Sequence, residues 1–164
     1  MTKKKFRAGV VGLGMGVNHC NGYRSHPDVE LVAVADIDPE RLEERGRKTL
    51  QVPHCYSTAE EMFEKEQLDI VSVAVPNVHH NDLTLKALRS GANVLCEKPS
   101  ARTFAEALDM QKAQHETGKT LNIGVVNRFN DSVRRVKKMI DEGRLGDIYH
   151  VYVSFRAHRS IPGL

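Results

Sequence analysis

Residues 8–36 read AGVVGLGMGVNHCNGYRSHPDVELVAVAD, and this stretch decides the fold. A β-branched run, Ala8 to Val11, ends on Gly12, Gly14 and Gly16. A second apolar run, Leu31 to Ala35, closes on the carboxylate of Asp36. That second run has no polar alternation, so both of its faces are buried, the pattern of a parallel sheet covered on both sides.

Strand, glycine turn, helix, then a strand ending in an acid about 20 residues past the glycines is the layout of a dinucleotide-binding unit. Gly12 permits the tight turn, and Gly14 lets the backbone approach a pyrophosphate. The helix after them directs its free N–H groups at the phosphates. A strict G-x-G-x-x-G would place glycine where Val17 stands. Gly16, one residue earlier, is expected to supply the close helix–strand approach instead. Met15 and Val17 lie in the same turn and count among the cofactor-binding candidates. Asp36 is expected to accept both adenosine ribose hydroxyls and to repel a 2′-phosphate. Ile37 follows it with no arginine pair, so NAD is expected over NADP.

Outward from this unit, strands and helices alternate. Strands are expected at 7–11, 31–35, 54–56, 69–75, 92–96 and 120–125, and helices at about 16–25, from Asp38-Pro39, after Thr58, over 79–90 and from Thr103 to Gly118. Thr58 with Glu61, and Thr103 with Glu106, read as capping boxes. The charges of the helix after Pro39 (Glu40 to Lys48) read as a solvated face. The alternation predicts an α/β fold, a doubly wound parallel sheet.

Beyond Val125 the pattern changes. A helix is expected over 131–142, with Val133, Val136 and Ile140 on one face. Tyr149, Val151, Val153 and Phe155 then alternate with His150, Tyr152 and Ser154, the period of an antiparallel strand. The expected division is 1–126 for the first domain and 127–164 for the start of a second, mostly antiparallel one.

The bulk properties are those of an ordinary α/β protein. The chain has 164 residues and a mild net charge of +3; Lys3, Lys4, Lys5 and Arg7 form a basic N-terminal patch that reads as a solvated tail, and the sequence shows neither a basic face nor a recognised nucleic-acid module. Cys20, Cys55 and Cys96 lack paired spacing, so neither a zinc site nor a disulfide framework is expected. Reduced thiols and the absence of an apolar leader or span suggest a cytoplasmic setting. His79 and His80 are adjacent and share no helical face, so no metal site is expected there. His19 and Cys20, in the first helix, read as packing residues.

Other chemistry-bearing residues fall at strand ends: Pro76-Asn77, Glu97-Lys98-Pro99 and Asn127-Arg128-Phe129. Ligands bind outside the carboxyl ends of strands in open parallel sheets. Lys98 there can donate to a substrate oxygen or a cofactor ribose, and an exposed structural lysine is an equal reading of its spacing.

Together these blocks (GVVGLGMG, VAVADID, VAVPNVHH, ALRSGANVLCEKP, and VVNRF with GRLGDI) resemble the Gfo/Idh/MocA oxidoreductases. The resemblance implies a Rossmann domain with Gly12, Gly14 and Gly16 on the pyrophosphate and with Asp36 and Ile37 flanking the ribose. It implies Pro76, Asn77 and His80 along the crevice, Glu97 and Lys98 from the Glu-Lys-Pro signature, and Asn127 near the nicotinamide. Lys98 would be the catalytic residue. The family's later acid/base residues match no residue of this sequence. The implied reaction is hydride exchange between NAD and a hydroxyl-bearing carbon of a sugar, cyclitol or related small molecule, in a homo-oligomer. A non-catalytic NAD-binding or scaffold module is the alternative. A homoserine-dehydrogenase- or dihydrodipicolinate-reductase-like enzyme fits less well, because of the Glu-Lys-Pro and Asn-Arg-Phe blocks.

Overall fold

The computed structural model describes residues 4–154. The chain divides into two compact units, Met1–Val125 and Val126–Leu164.

The first unit holds β1 (Phe6–Val11), α1 (Gly16–Ser25), β2 (Val29–Ala35), α2 (Pro39–Arg41), β3 (His54–Tyr56), α3 (Ala59–Lys65), β4 (Ile70–Val73), α4 (His80–Arg89), β5 (Asn93–Cys96), α5 (Phe104–Thr117) and β6 (Leu121–Ile123). Among the described residues these strands form one parallel sheet in the order β3-β2-β1-β4-β5-β6. The order reverses between β1 and β4, and a crevice opens there at the carboxyl ends. Successive strand residues point to opposite faces. Val10 and Val34 enter one buried cluster with Leu13, Cys20 and Leu42. Val11, Ala33 and Ala35 enter the other, with Met62, Val71, Leu88 and Met110. Both faces are covered, as the unbroken apolar runs require.

The helix starts follow local chemistry. Asp38 Oδ1 accepts the amides of Glu40 and Arg41, each at 3.0 Å, with Pro39 as first helical residue. Thr58 accepts from the Glu61 amide and Thr103 from the Glu106 amide, each at 3.2 Å. The return half of the second box differs from expectation: the Glu106 carboxylate takes the Arg102 amide and guanidinium. Gly91 (φ +96°) and Gly118 (φ +64°) follow α4 and α5 in the left-handed conformation that stops a helix.

Three expectations are revised. The strand expected over 69–75 is limited to Ile70–Val73; Asp69 and Ala74 at its two ends still bond to β1 through their amides, on Arg7 O at 2.8 Å and Val11 O at 2.9 Å, the Asp69 carboxylate also accepts the Arg7 amide at 2.8 Å, and the chain turns at Pro76. The last strand of this sheet is likewise only Leu121–Ile123. The helix after Pro39 widens to a π-helix over Leu42–Thr49, with Leu42 and Gly46 buried. Its charges are not uniformly solvated. Arg47–Glu43 and Lys48–Glu44 are exposed i,i+4 pairs, whereas Arg41 and Arg45 turn in toward the glycine turn.

A polar cluster ties β1, β3 and the end of α3 together. The buried Glu66 carboxylate accepts from Tyr56 Oη (2.7 Å) and Arg7 Nη2 (2.7 Å) and pairs with His54 Nδ1. Burial by itself would raise the Glu66 carboxyl. The hydrogen bonds from Tyr56 and His54 and the charges of His54 and Arg7 outweigh it, and the group sits below its ordinary value. Its stabilisation is therefore complete above the unfolded glutamate value, about 4.3, and is lost as pH falls through the lower folded value. Glu66→Gln is expected to cost about 1–3 kcal/mol at neutral pH. That cost should vanish in acid, as read by urea unfolding across pH 3–7.

In the second unit, a 3₁₀ turn (Val126–Phe129) leads into α6 (Asp131–Asp141), where Asn130 Oδ1 accepts the Ser132 amide at 3.0 Å. The Arg134 guanidinium lies over the Phe129 ring at 5.3 Å. Val133, Val136 and Ile140 form the expected apolar stripe and are 48%, 51% and 40% exposed. The expected strand from Tyr149 does not form over 149–154, and Phe155 lies outside the described residues. A lone strand has no ladder to satisfy its backbone, and no described residue pairs with it.

Candidate functional site

The site begins where β1 turns into α1. Gly12 has φ +88°, and a Cβ there would lie 2.4 Å from the Ala74 carbonyl oxygen. Its amide donates to Ala35 O at 2.8 Å, which fixes the end of β1 against β2. A Cβ on Gly16 would meet Val10 Cγ1 at 2.8 Å, so Gly16 supplies the close helix–strand approach. Gly14 is exposed, and a Cβ there would meet nothing within 4 Å; it is bare backbone on an open floor.

The start of α1 is electrostatically bare as well. Met15 stands at the N-cap with no side-chain cap, and the first turn carries no acid. The first amides of a helix have no intrahelical partner, and the macrodipole places partial positive charge on them.

One strand over from the glycine turn, Asp36 directly follows β2 and is 6% exposed. Its Oδ2 accepts the Leu13 amide at 2.7 Å and its Oδ1 the Asp38 amide at 2.9 Å. Arg41 Nη1 lies 3.2 Å from both oxygens, and Arg41 Nη2 lies 3.0 Å from Asp38 Oδ2. Asp38 is held below the usual carboxylate range, chiefly by the Arg41 amide and further by its guanidinium. Arg45 Nη1 donates to Leu13 O at 2.7 Å, bracing the glycine turn from outside.

These parts border one crevice of about 960 Å³, which Gly12, Gly14, Met15, Asp36, Ile37 and Pro76 line together. Arg41, Arg45, His79 and Asp82 also border it, and sequence reading did not single them out for it. The size is at the upper end of ordinary cofactor sites, about 300–1,000 Å³.

Other candidates fall elsewhere. The Val17 side chain packs on the core cluster beneath α1, so only its main chain belongs to the turn. His80 is corrected from crevice wall to internal brace. It is 1% exposed, and its ring nitrogens lie 2.7 Å from Pro99 O and 2.8 Å from Val75 O. Asn77 opens an exposed 3₁₀ turn, Asn77–His79, whose last residue borders the crevice while Asn77 itself does not line it. Asn127 sits exposed in the second unit.

Glu97 and Lys98 follow β5, and the Lys98–Pro99 peptide is cis. Lys98 is exposed, and its amide donates to Glu97 Oε2 at 3.1 Å. The packing role read for His19 is incomplete. Its Nε2 lies 3.1 Å from Glu97 Oε1 and its Nδ1 lies 3.0 Å from Ser72 Oγ, which is 2.6 Å from Tyr23 Oη. This chain anchors the Glu97 carboxylate from below. Burial keeps the neighbouring thiol of Cys20 protonated, pushing it up to about 12.

Bare backbone at Gly14, an uncapped helix start and a carboxylate one strand over fit a diphosphate flanked by a ribose. The fold and crevice thus define a dinucleotide-binding protein of the Rossmann class.

The model of the GFO_IDH_MocA family, described as an oxidoreductase family with an NAD-binding Rossmann fold, matches residues 6–125. The chain belongs to this family. It is 31% identical over 157 residues to D-apiose dehydrogenase of Paraburkholderia graminis, covering 95% of this chain and 42% of the relative. Among solved structures, WlbA dehydrogenase of Bordetella pertussis in complex with NADH and UDP-GlcNAcA aligns with TM-score 0.85 and 31% identity, over 91% of this chain and 43% of that one. Scyllo-inositol dehydrogenase of Lactobacillus casei, with bound NAD(H) and scyllo-inositol, aligns with TM-score 0.82 and 26% identity, over 88% and 43%. The chain thus spans less than half the length of these relatives, the NAD-binding Rossmann portion. No helix among the described residues is long and apolar enough to cross a membrane.

Proposed function

We propose that the first unit binds NAD(H) in preference to NADP(H) across the β1/β4 switch point. The whole protein would then oxidise a hydroxyl-bearing carbon of a sugar, cyclitol or related compound. The observation that carries the reading is the bare backbone of Gly14 beside the uncapped start of α1, facing Asp36 across the crevice. Diphosphate oxygens accept from the turn and helix amides, and Asp36 takes the adenosine ribose. The bound nicotinamide supplies the hydride acceptor.

Lys98 is the catalytic residue in this reading, donating from its ammonium to the reacting oxygen. Glu97, anchored through His19, holds the loop that carries it. Residues from Val126 onward open a domain for substrate and for assembly of copies, as the resemblance implies. A cytoplasmic setting agrees with three cysteines that form no disulfide.

Calorimetric titration of this chain with NAD⁺ and NADH tests the binding half; absence of saturable heat on folded protein sinks it. For the chemistry, a chain extended through the second domain should reduce NAD⁺ with members of a polyol and sugar panel, and this chain alone should turn over poorly. Lys98→Met in the extended chain should lower kcat by about 10²–10⁴ and leave NAD⁺ affinity within a few-fold. Unchanged turnover would remove Lys98 from the mechanism.

A further inference from the structure

Four polar side chains stand in one file that ends at the loop carrying Lys98. His19 and Tyr23, one helical turn apart on α1, both reach Ser72 on β4. Tyr23 Oη lies 2.6 Å from Ser72 Oγ, Ser72 Oγ lies 3.0 Å from His19 Nδ1, and His19 Nε2 lies 3.1 Å from Glu97 Oε1. One direction of donation satisfies every member. A carboxylate only accepts, so Nε2 carries a hydrogen toward Glu97. Burial raises the Tyr23 hydroxyl above its ordinary value, so Tyr23 keeps its proton and donates to Ser72. The fully buried Ser72 hydroxyl then donates to Nδ1, and the tautomer of His19 is set. Glu97 Oε2 is left for the Lys98 amide, at 3.1 Å. Gly124 keeps the space beside this carboxylate open: a Cβ there would lie 3.1 Å from Glu97 Oε1 and 3.3 Å from its carboxyl carbon.

We infer that His19 is a positioning residue for Lys98, acting through the Glu97 carboxylate, with Ser72 and Tyr23 fixing the tautomer that the role requires. A carboxylate gripped at both oxygens cannot rotate, so the Lys98 amide, and with it the root of the Lys98 side chain, is held in one place beyond the end of β5. The opposite tautomer would set the Nε2 lone pair against the carboxylate and release that grip. Displacing a reacting group by about 1 Å can cost about 100-fold in rate. His19 borders no part of the crevice that Gly12, Gly14 and Asp36 line. Its loss therefore lowers turnover and leaves dinucleotide affinity in place.

The inference rests on the reading of Lys98 as the catalytic residue, and a set of variants separates the two. His19→Gln carries an amide donor out to the position of Nε2, whereas His19→Asn reaches only as far as Nδ1. Gly124→Ala leaves the imidazole in place and crowds Glu97 instead, so it decides the matter should the His19 variants fail to fold. Long-range proton–nitrogen NMR of this chain should find a hydrogen on Nε2 of His19; a bare Nε2 overturns the inference. The Lys98 amide should exchange with solvent about tenfold faster in His19→Asn and Gly124→Ala than in wild type or His19→Gln, the loss of one charge-assisted hydrogen bond. The chain extended through the second domain is assayed on the same polyol and sugar panel as Lys98→Met. There His19→Asn and Gly124→Ala should lower kcat about 10–100-fold with the NAD⁺ Kd within about threefold, and His19→Gln should keep kcat within about fivefold of wild type. Equal losses in His19→Gln and His19→Asn, or one Lys98 exchange rate across the series, overturn the role. Full turnover in His19→Asn beside a loss in Lys98→Met removes His19 and leaves Lys98 standing. Unchanged turnover in Lys98→Met overturns the catalytic reading and this inference with it.

Discussion

Gly12→Ala is expected to unfold the chain at markedly lower temperature and to abolish measurable NAD⁺ binding. Two costs add. The position has φ +88°, where a β-carbon is strained, and the added atom would sit 2.4 Å from the Ala74 carbonyl oxygen and 2.9 Å from its carbon. Both neighbours are backbone at the end of β4, so no rotamer change relieves the clash. A left-handed conformation costs about 1–2 kcal/mol and overpacking about 1–3 kcal/mol, a total of about 2–5 kcal/mol. For a chain of this size that lowers Tm by about 5–15 °C. The turn must move to fit the methyl, and it carries Gly14 and the start of α1 with it. Gly14→Ala is the matched control. It meets no atom within 4 Å, so stability should hold within about 0.5 kcal/mol. NAD⁺ affinity should still fall about tenfold or more, because the methyl would stand where the diphosphate is proposed to lie. Thermal melts and calorimetry on the pair separate the fold's need for glycine from the ligand's. Equal melting temperatures for Gly12→Ala and wild type would refute the account of the turn.

Asp36→Ala is expected to lower NAD⁺ affinity about 100-fold, the loss of two hydrogen bonds to a charged acceptor. It should also cost about 1–3 kcal/mol of stability, because the Leu13 amide loses its acceptor. That amide belongs to the residue between the two turn glycines, so Asp36 orders the turn besides the ribose role proposed for it. NADP⁺ affinity should rise instead, since Arg41 loses its first partner and keeps Asp38 beside it. Reversal of cofactor preference is therefore the signature. Parallel weakening of both dinucleotides would mean that Asp36 acts only through the turn.

Much of this molecule is legible in one dimension. Unbroken apolar runs over 8–11 and 31–35 demand burial on both faces, and only a parallel sheet under helices provides it. Asp38-Pro39, Thr58 and Thr103 mark helix starts through hydrogen bonds that span two or three residues. Gly12 declares a turn through its own backbone freedom. The glycines and Asp36 meet at one crevice because the βαβ unit brings consecutive strand ends together. Each of these signals lies within a few tens of residues, along a path that secondary structure makes rigid.

What sequence could not reach depends on pairing through space. His19 meets Ser72 and Glu97, 53 and 78 residues away, and no spacing rule connects them. His80 turns inward to two carbonyls, which withdraws it from the crevice its sequence block suggested. Arg41 and Arg45 look like two charges in a charged run, yet they reach Asp36 and the turn. The alternating residues from Tyr149 carry a strand's pattern and, over 149–154, form no strand. Local propensity and turn chemistry thus wrote the order of elements and the place of the crevice. Tertiary packing alone chose the partner of each polar side chain, because a hydrogen bond or a strand ladder exists only when its other half is brought within reach.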